Sequence, residues 1–187
     1  MLILGLDLSL TSTGLARVDL HTESNGITTN VVVDAIDLAT VKSKATADKS
    51  YAAMSTRIEA ISRRIMCAVD PRPDLVVIEG PAFGAKGAHT HSRDWLWGKV
   101  FDGVRTVGVP IVVVTPTQRC KYATGRGNAD KDTVLAAAIR RWPEAEIQGN
   151  DTADALILAA IGARSMSVPF DNVPVAHWKP VMEKLAR

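Results

Sequence analysis

The sequence predicts an α/β fold built on a mixed five-stranded sheet, an antiparallel meander followed by parallel strands, with helices on its faces. Three observations carry this reading. The first forty residues hold three strand-like segments in succession. Two later runs are short, continuous and apolar, as strands buried on both faces are. Helical periodicity fills the intervals between and after those runs.

Leu2, Leu4, Leu6 and Leu8 alternate with Ile3, Gly5, Asp7 and Ser9, which reads as a strand. Ser-Leu-Thr-Ser-Thr-Gly at 9–14 is a tight polar turn, and residues 15–20 return as a second strand. A polar loop at 23–26 leads to the third, Val-Val-Val-Asp-Ala-Ile at 31–36. Met54, Ile58, Ile61, Ile65 and Val69 share one helical face, and Asp70-Pro71-Arg72-Pro73 ends that helix. Residues 75–78 and 111–114 are the buried strands, with a helix between them marked by Leu96, Val100, Val104 and Val107. Val134, Leu135, Ala138 and Trp142 mark a third helix, and Asn150 is placed to cap a fourth from Asp151 to about residue 163. The predicted order is β-β-β-α-β-α-β-α-α. Residues 1–167 form one domain, and 168–187, with three prolines, a C-terminal appendage.

Composition excludes several classes. A net charge of +2 does not by itself announce a nucleic-acid binder, although Arg119, Lys121, Arg126 and Lys131 crowd one region. Cys67 and Cys120 form neither a zinc motif nor a disulfide framework, and read as structural thiols. His89-Thr90-His91 lacks further ligands and reads as a solvated loop, while Trp95 and Trp97 read as helix packing or a dimer contact. No basic leader is visible, and no apolar run approaches the roughly 20 residues of a membrane span, so a cytoplasmic protein of a prokaryotic or phage-infected cell is expected.

The informative residues are acids in apolar settings. Asp7 lies between Leu6 and Leu8, and an unpaired buried carboxylate costs several kcal/mol. Glu79 ends the 75–78 strand, where sites form in parallel sheets. Asp151 and Asp154 lie one turn apart on an apolar helix. Each has a structural explanation alone: a turn residue, an ion-pair partner, a helix start. Four together would repel one another unless cations neutralise them, and oxygen-only ligands suit Mg²⁺ or Mn²⁺.

Four motifs in order resemble the RuvC Holliday-junction resolvases of the RNase H-like superfamily. They are Gly5-Leu6-Asp7-Leu8-Ser9 with Thr13-Gly14, Val77-Ile78-Glu79, residues 125–134 (GRGNADKDTV), and Asp151-Thr152-Ala153-Asp154-Ala155-Leu156. The resemblance covers about residues 2–164. It implies an RNase H-like fold, a homodimer, and hydrolysis of a phosphodiester in branched DNA, four-way junctions above all, with two Mg²⁺ or Mn²⁺ per site held by Asp7, Glu79, Asp151 and Asp154. Lys131 would contact the scissile phosphate or position the water. Phe83 is the candidate for the family's base-stacking aromatic, with core packing as its other reading. Lys86, Arg119, Lys121, Arg126 and Lys131 are candidate phosphate contacts. The alternatives are a nuclease for flaps or forks and a junction-binding module without catalysis. An ATPase of the actin type needs two large lobes, which 187 residues do not supply.

Overall fold

The structure is a computed structural model and describes residues 1–81 and 90–185. Its elements run β1 (Leu2–Asp7), β2 (Ser12–Ser24), β3 (Thr29–Lys42), α1 (Tyr51–Met66) and a 3-10 turn (Cys67–Val69). They continue with β4 (Leu75–Glu79), α2 (Thr90–Thr106), β5 (Ile111–Val114), α3 (Pro116–Thr124), α4 (Lys131–Arg141), α5 (Asn150–Ser165) and α6 (Val175–Met182). The sheet order is β3-β2-β1-β4-β5. β1–β2 and β2–β3 are antiparallel, and β1–β4 and β4–β5 are parallel. The predicted mixed five-stranded sheet is therefore present.

Strand alternation divides the core. Ile3, Val77, Val112 and Val114 face α3, α4 and α5, while Leu4, Leu6, Val76 and Ile78 face α1 and α2. α5 is buried on every side over twelve successive residues from Thr152 to Ala163, because it is enclosed by the sheet and its neighbouring helices.

Two glycines set how closely α5 approaches. A Cβ on Gly5 of β1 would lie 2.1 Å from the Ala155 carbonyl oxygen, and one on Gly14 of β2 would lie 1.9 Å from that of Asp151. Only a residue without a side chain lets the helix backbone rest directly on the strands. On the helix side Gly162 does the same against Val77 and Ile3.

Three features depart from expectation. β2 and β3 extend well beyond residues 15–20 and 31–36, to 12–24 and 29–42, and their far end around residues 21–30 is an exposed hairpin held by backbone pairing rather than burial. Its tip is closed by Asn25, whose Oδ1 accepts from the Ile27 and Thr28 amides, and by Gly26 at φ 83°. Second, α3 occupies a stretch expected to be a connection. Third, Gly149 rather than Asn150 is the α5 N-cap, with no side-chain cap, and Asn150 opens the helix.

The segment after residue 167 carries α6 and packs Val173 and Val181 into the core. Asp171 receives the Tyr122 hydroxyl hydrogen bond and an Arg164 ion pair, tying it to α3 and α5. His91 is exposed at the start of α2, and His89 lies outside the described residues. Cys67 is exposed, Cys120 is buried, and both are free. No helix among the described residues is long and apolar enough to cross a membrane.

Forcing a methyl group between β2 and α5 must move one of them. Gly14→Ala is expected to cost about 2 kcal/mol or more, a melting-temperature loss of roughly 4–8 °C. Thermal denaturation followed by circular dichroism measures it; an unchanged midpoint would show that the helix yields freely.

Candidate active site

Asp7 is the last residue of β1 and Glu79 the last of β4. The two strands are parallel neighbours, so both acids emerge at one edge of the sheet. Alternation also places them on one face: Asp7 follows Ile3 and Gly5, and Glu79 follows Leu75 and Val77, toward α5. The first turns of α5 lie over that edge, because the helix rests on Gly5 and Gly14. Asp151 and Asp154 thereby join Asp7 and Glu79 along one cleft of about 500 Å³, which Arg57, Arg93, Arg119 and Lys131 also line. The four acids singled out in the sequence converge.

Burial, then repulsion from Glu79 and Asp154, pushes the Asp7 carboxyl from 3.8 up to about 7. Burial likewise raises Asp154 to about 7, against the pull of Arg119 and with a further push from Glu79. Both values sit far above the carboxylate range because neighbouring charge and low polarity favour the neutral acid.

Arg119 reaches into this cluster from α3. Its Nε donates to Glu79 Oε2 and its Nη1 to Asp154 Oδ1, so one guanidinium bridges two acids. The side chains of Arg119, Glu79 and Asp154 are 11%, 15% and 9% exposed. Burial opposes the Arg119 charge, but Glu79 and Asp154 outweigh it and hold its pKa above the ordinary guanidinium value. Arg119, expected among the phosphate contacts, has its Nε and Nη1 engaged by the acids. Among the described residues, no group of three or more His, Cys, Asp or Glu stands ready to enclose one ion.

The remaining candidates are dispersed. Lys131 is exposed at the first position of α4, lines the cleft, and lowers the Asp154 pKa. Asp130 beside it caps α4, accepting from the Thr133 amide at 2.8 Å. Lys121 donates its Nζ to the Gly125 carbonyl at 2.6 Å, and Arg126 is exposed in the loop that follows α3. Phe83 and Lys86 lie outside the described residues.

Several site residues escaped the sequence reading. Trp97 Nε1 donates to the Glu79 carbonyl at 3.0 Å while its ring stacks on Phe101 at 4.9 Å, which fixes the end of β4. Arg57 ties the turn after β1 to β3 through the Leu10 and Ser43 carbonyls. Arg93 adds an exposed cation to the cleft. None of these belongs to a motif, but a signal for α3 was present. Thr115-Pro116-Thr117-Gln118 is a capping box, with Thr115 accepting from the Gln118 amide and Gln118 Oε1 from the Thr115 amide.

No family model matches the sequence. It is 35% identical over 92 residues to the crossover junction endodeoxyribonuclease RuvC of Synechococcus sp. (strain WH7803), a stretch covering 49% of this chain and 59% of that protein. The Thermus thermophilus RuvC structure superimposes with a TM-score of 0.65 at 20% identity, covering 93% of this chain and 100% of that one. The Fowlpox virus resolvase in complex with Holliday junction DNA gives a TM-score of 0.54 at 13% identity, covering 89% and 99%. The resemblance read from the motifs therefore holds in sequence over about half the chain and in fold over nearly all of it. The architecture is the RNase H-like fold of RuvC.

The acid cluster has a signature in the metal-free protein. Asp7 takes up its proton near pH 7 when folded and near 3.8 when unfolded, so the folded chain binds more protons between those values. That contribution to stability falls as pH rises through the window. In chelator, Asp7→Asn is expected to melt above wild type at pH 8, with the advantage shrinking toward pH 5. Parallel melting curves across that range would mean that Asp7 is not under charge stress.

Proposed function

We propose that this chain is a structure-selective DNA endonuclease that resolves four-way Holliday junctions by paired symmetric nicks, acting as a homodimer. Residues 1–167 form its nuclease domain and 168–187 an appendage. The observation that carries the reading is the cleft itself, with four carboxylates converging at the strand ends and Lys131 and Arg93 exposed along it. The likeness in sequence and fold to RuvC supports the same reading.

Acids arranged this way suit divalent cations. All four offer oxygen only, which matches Mg²⁺ or Mn²⁺ rather than zinc. Their mutual repulsion, visible in the raised Asp7 pKa, is relieved by added positive charge. Asp7, Glu79, Asp151 and Asp154 would hold two such ions. When bound, the ions supply an activated water and stabilise the leaving 3′ oxygen.

The chain's own residues do the rest. Lys131 stands at the cleft beside Asp154 and steadies the charge of the scissile phosphate. Arg93 and Arg126 are exposed and suited to flanking phosphates, which position the strand without reading its sequence. Trp97 holds the Glu79 main chain so that its carboxylate keeps its place during turnover.

A synthetic, non-migrating junction with Mg²⁺ or Mn²⁺ tests this, alongside flap, fork and linear duplex controls. Wild type is expected to cut the junction alone, with symmetric nicks. Asp7→Asn should lose at least about a thousandfold in rate while keeping junction affinity and fold, and Lys131→Ala about 10²–10³-fold. Broad cutting of flaps and forks would retain the nuclease and remove the resolvase, and tight binding without cutting would leave a junction-binding module.

A further inference from the structure

We infer that Arg119 is a resident counter-ion of the acid cluster, and that a divalent cation taking up the Glu79 and Asp154 oxygens must displace its guanidinium. The inference rests on the proposal that these acids hold metal. It concerns a residue for which the RuvC-like motifs provide no role: Arg119 lies before the Gly-rich motif at 125–134, on a helix no motif covers.

Arg119 satisfies one oxygen on each of two acids that come from different elements, β4 and α5. It is held there by a short rigid helix whose first turn is closed by the Thr115–Gln118 capping box and whose end is closed by Gly125 in the left-handed region at φ 82°. The guanidinium is thus built into the cluster rather than swept in from solvent. Its planar fork matches two separated carboxylates, as an ammonium does not.

Among the described residues, no three acids stand ready to enclose an ion. Glu79 and Asp154 are turned to nitrogen donors instead. A cation entering between them competes with two charge-assisted hydrogen bonds. In return, the bridge keeps the empty site from flying apart, since it places positive charge between acids that burial would otherwise leave exposed to each other's field. Arg119 therefore trades metal affinity for integrity of the metal-free fold.

Mn²⁺ binding followed by electron paramagnetic resonance, with wild type, Arg119→Gln, Arg119→Lys and Asp7→Asn compared, tests this. Melting in chelator and in Mn²⁺ is measured in parallel. Arg119→Gln is expected to bind Mn²⁺ roughly ten- to a hundredfold tighter, the equivalent of losing charge-assisted hydrogen bonds as competitors. It should also melt below wild type in chelator and gain more from Mn²⁺. Arg119→Lys, which keeps the charge but not the fork, should fall between and guards against a Gln variant that fails to fold. If Mn²⁺ binds wild type and the Arg119 variants equally, with binding lost in Asp7→Asn, the displacement model is wrong and the metal site stands. If none of the proteins binds Mn²⁺, the displacement model falls together with the metal reading.

Discussion

Everything at the site depends on how closely α5 lies on the sheet. Gly5 and Gly14 are the points of contact, and their missing side chains bring the backbone of α5 onto β1 and β2. A helix resting a full side chain farther out would carry Asp151 and Asp154 away from Asp7 and Glu79. Close packing between a helix and a sheet normally serves stability. Here it also forces two carboxylates of one element against two carboxylates of another, and the raised pKa values of Asp7 and Asp154 are the cost. The glycines and the acids are parts of one arrangement.

That cost is met only in part by the chain itself. Arg119 neutralises two acids through α3, and Lys131 lowers the Asp154 pKa from α4. Asp7 keeps its repulsion from Glu79 and Asp154 even with Arg119 in place. Elsewhere Arg164 and Asp171 compensate each other, and Tyr122 bonds to both. Acids crowded in a buried cleft break a local rule of stability, the pattern expected where function set the residues.

Much of this was legible in the sequence, and the reasons are specific. Asp7 stood out between Leu6 and Leu8, and Glu79 at the end of the apolar run 75–78, because an acid in or closing a buried strand needs a reason. The apolar surroundings of Asp154 announced a buried acid on α5. What stayed hidden lacked an apolar signature. The distal end of β2, residues 21–24, carries His, Thr, Glu and Ser on an exposed strand, where pairing comes from backbone hydrogen bonds and not from a pattern. α3 carries Thr, Gln, Arg and Lys among its nine residues, so its capping box was its clearest mark. Missing α3 meant missing the bridge, since Arg119 in a loop reads as a phosphate contact. Trp97 was legible as packing but not as a support for Glu79, because that hydrogen bond joins α2 to β4 across eighteen residues.

Net charge illustrates the same limit from another side. The value of +2 is a sum over the whole chain, and it hides four acids gathered at the strand ends beside bases on α2, α3 and α4. Folding separates the two populations in depth: Arg119 is buried among the acids, while Arg93, Arg126 and Lys131 stay in solvent. The buried cation acts on the carboxylates in surroundings poor in water, where charges are weakly screened. The exposed cations lie in high-dielectric surroundings, where any contact with a polyanion would be weakened by salt. A basic rim over an acidic floor would repel phosphate at its centre if the floor kept its full charge. On the proposed reading, divalent cations at the floor would offset that repulsion, so cation loading would serve substrate entry as well as catalysis.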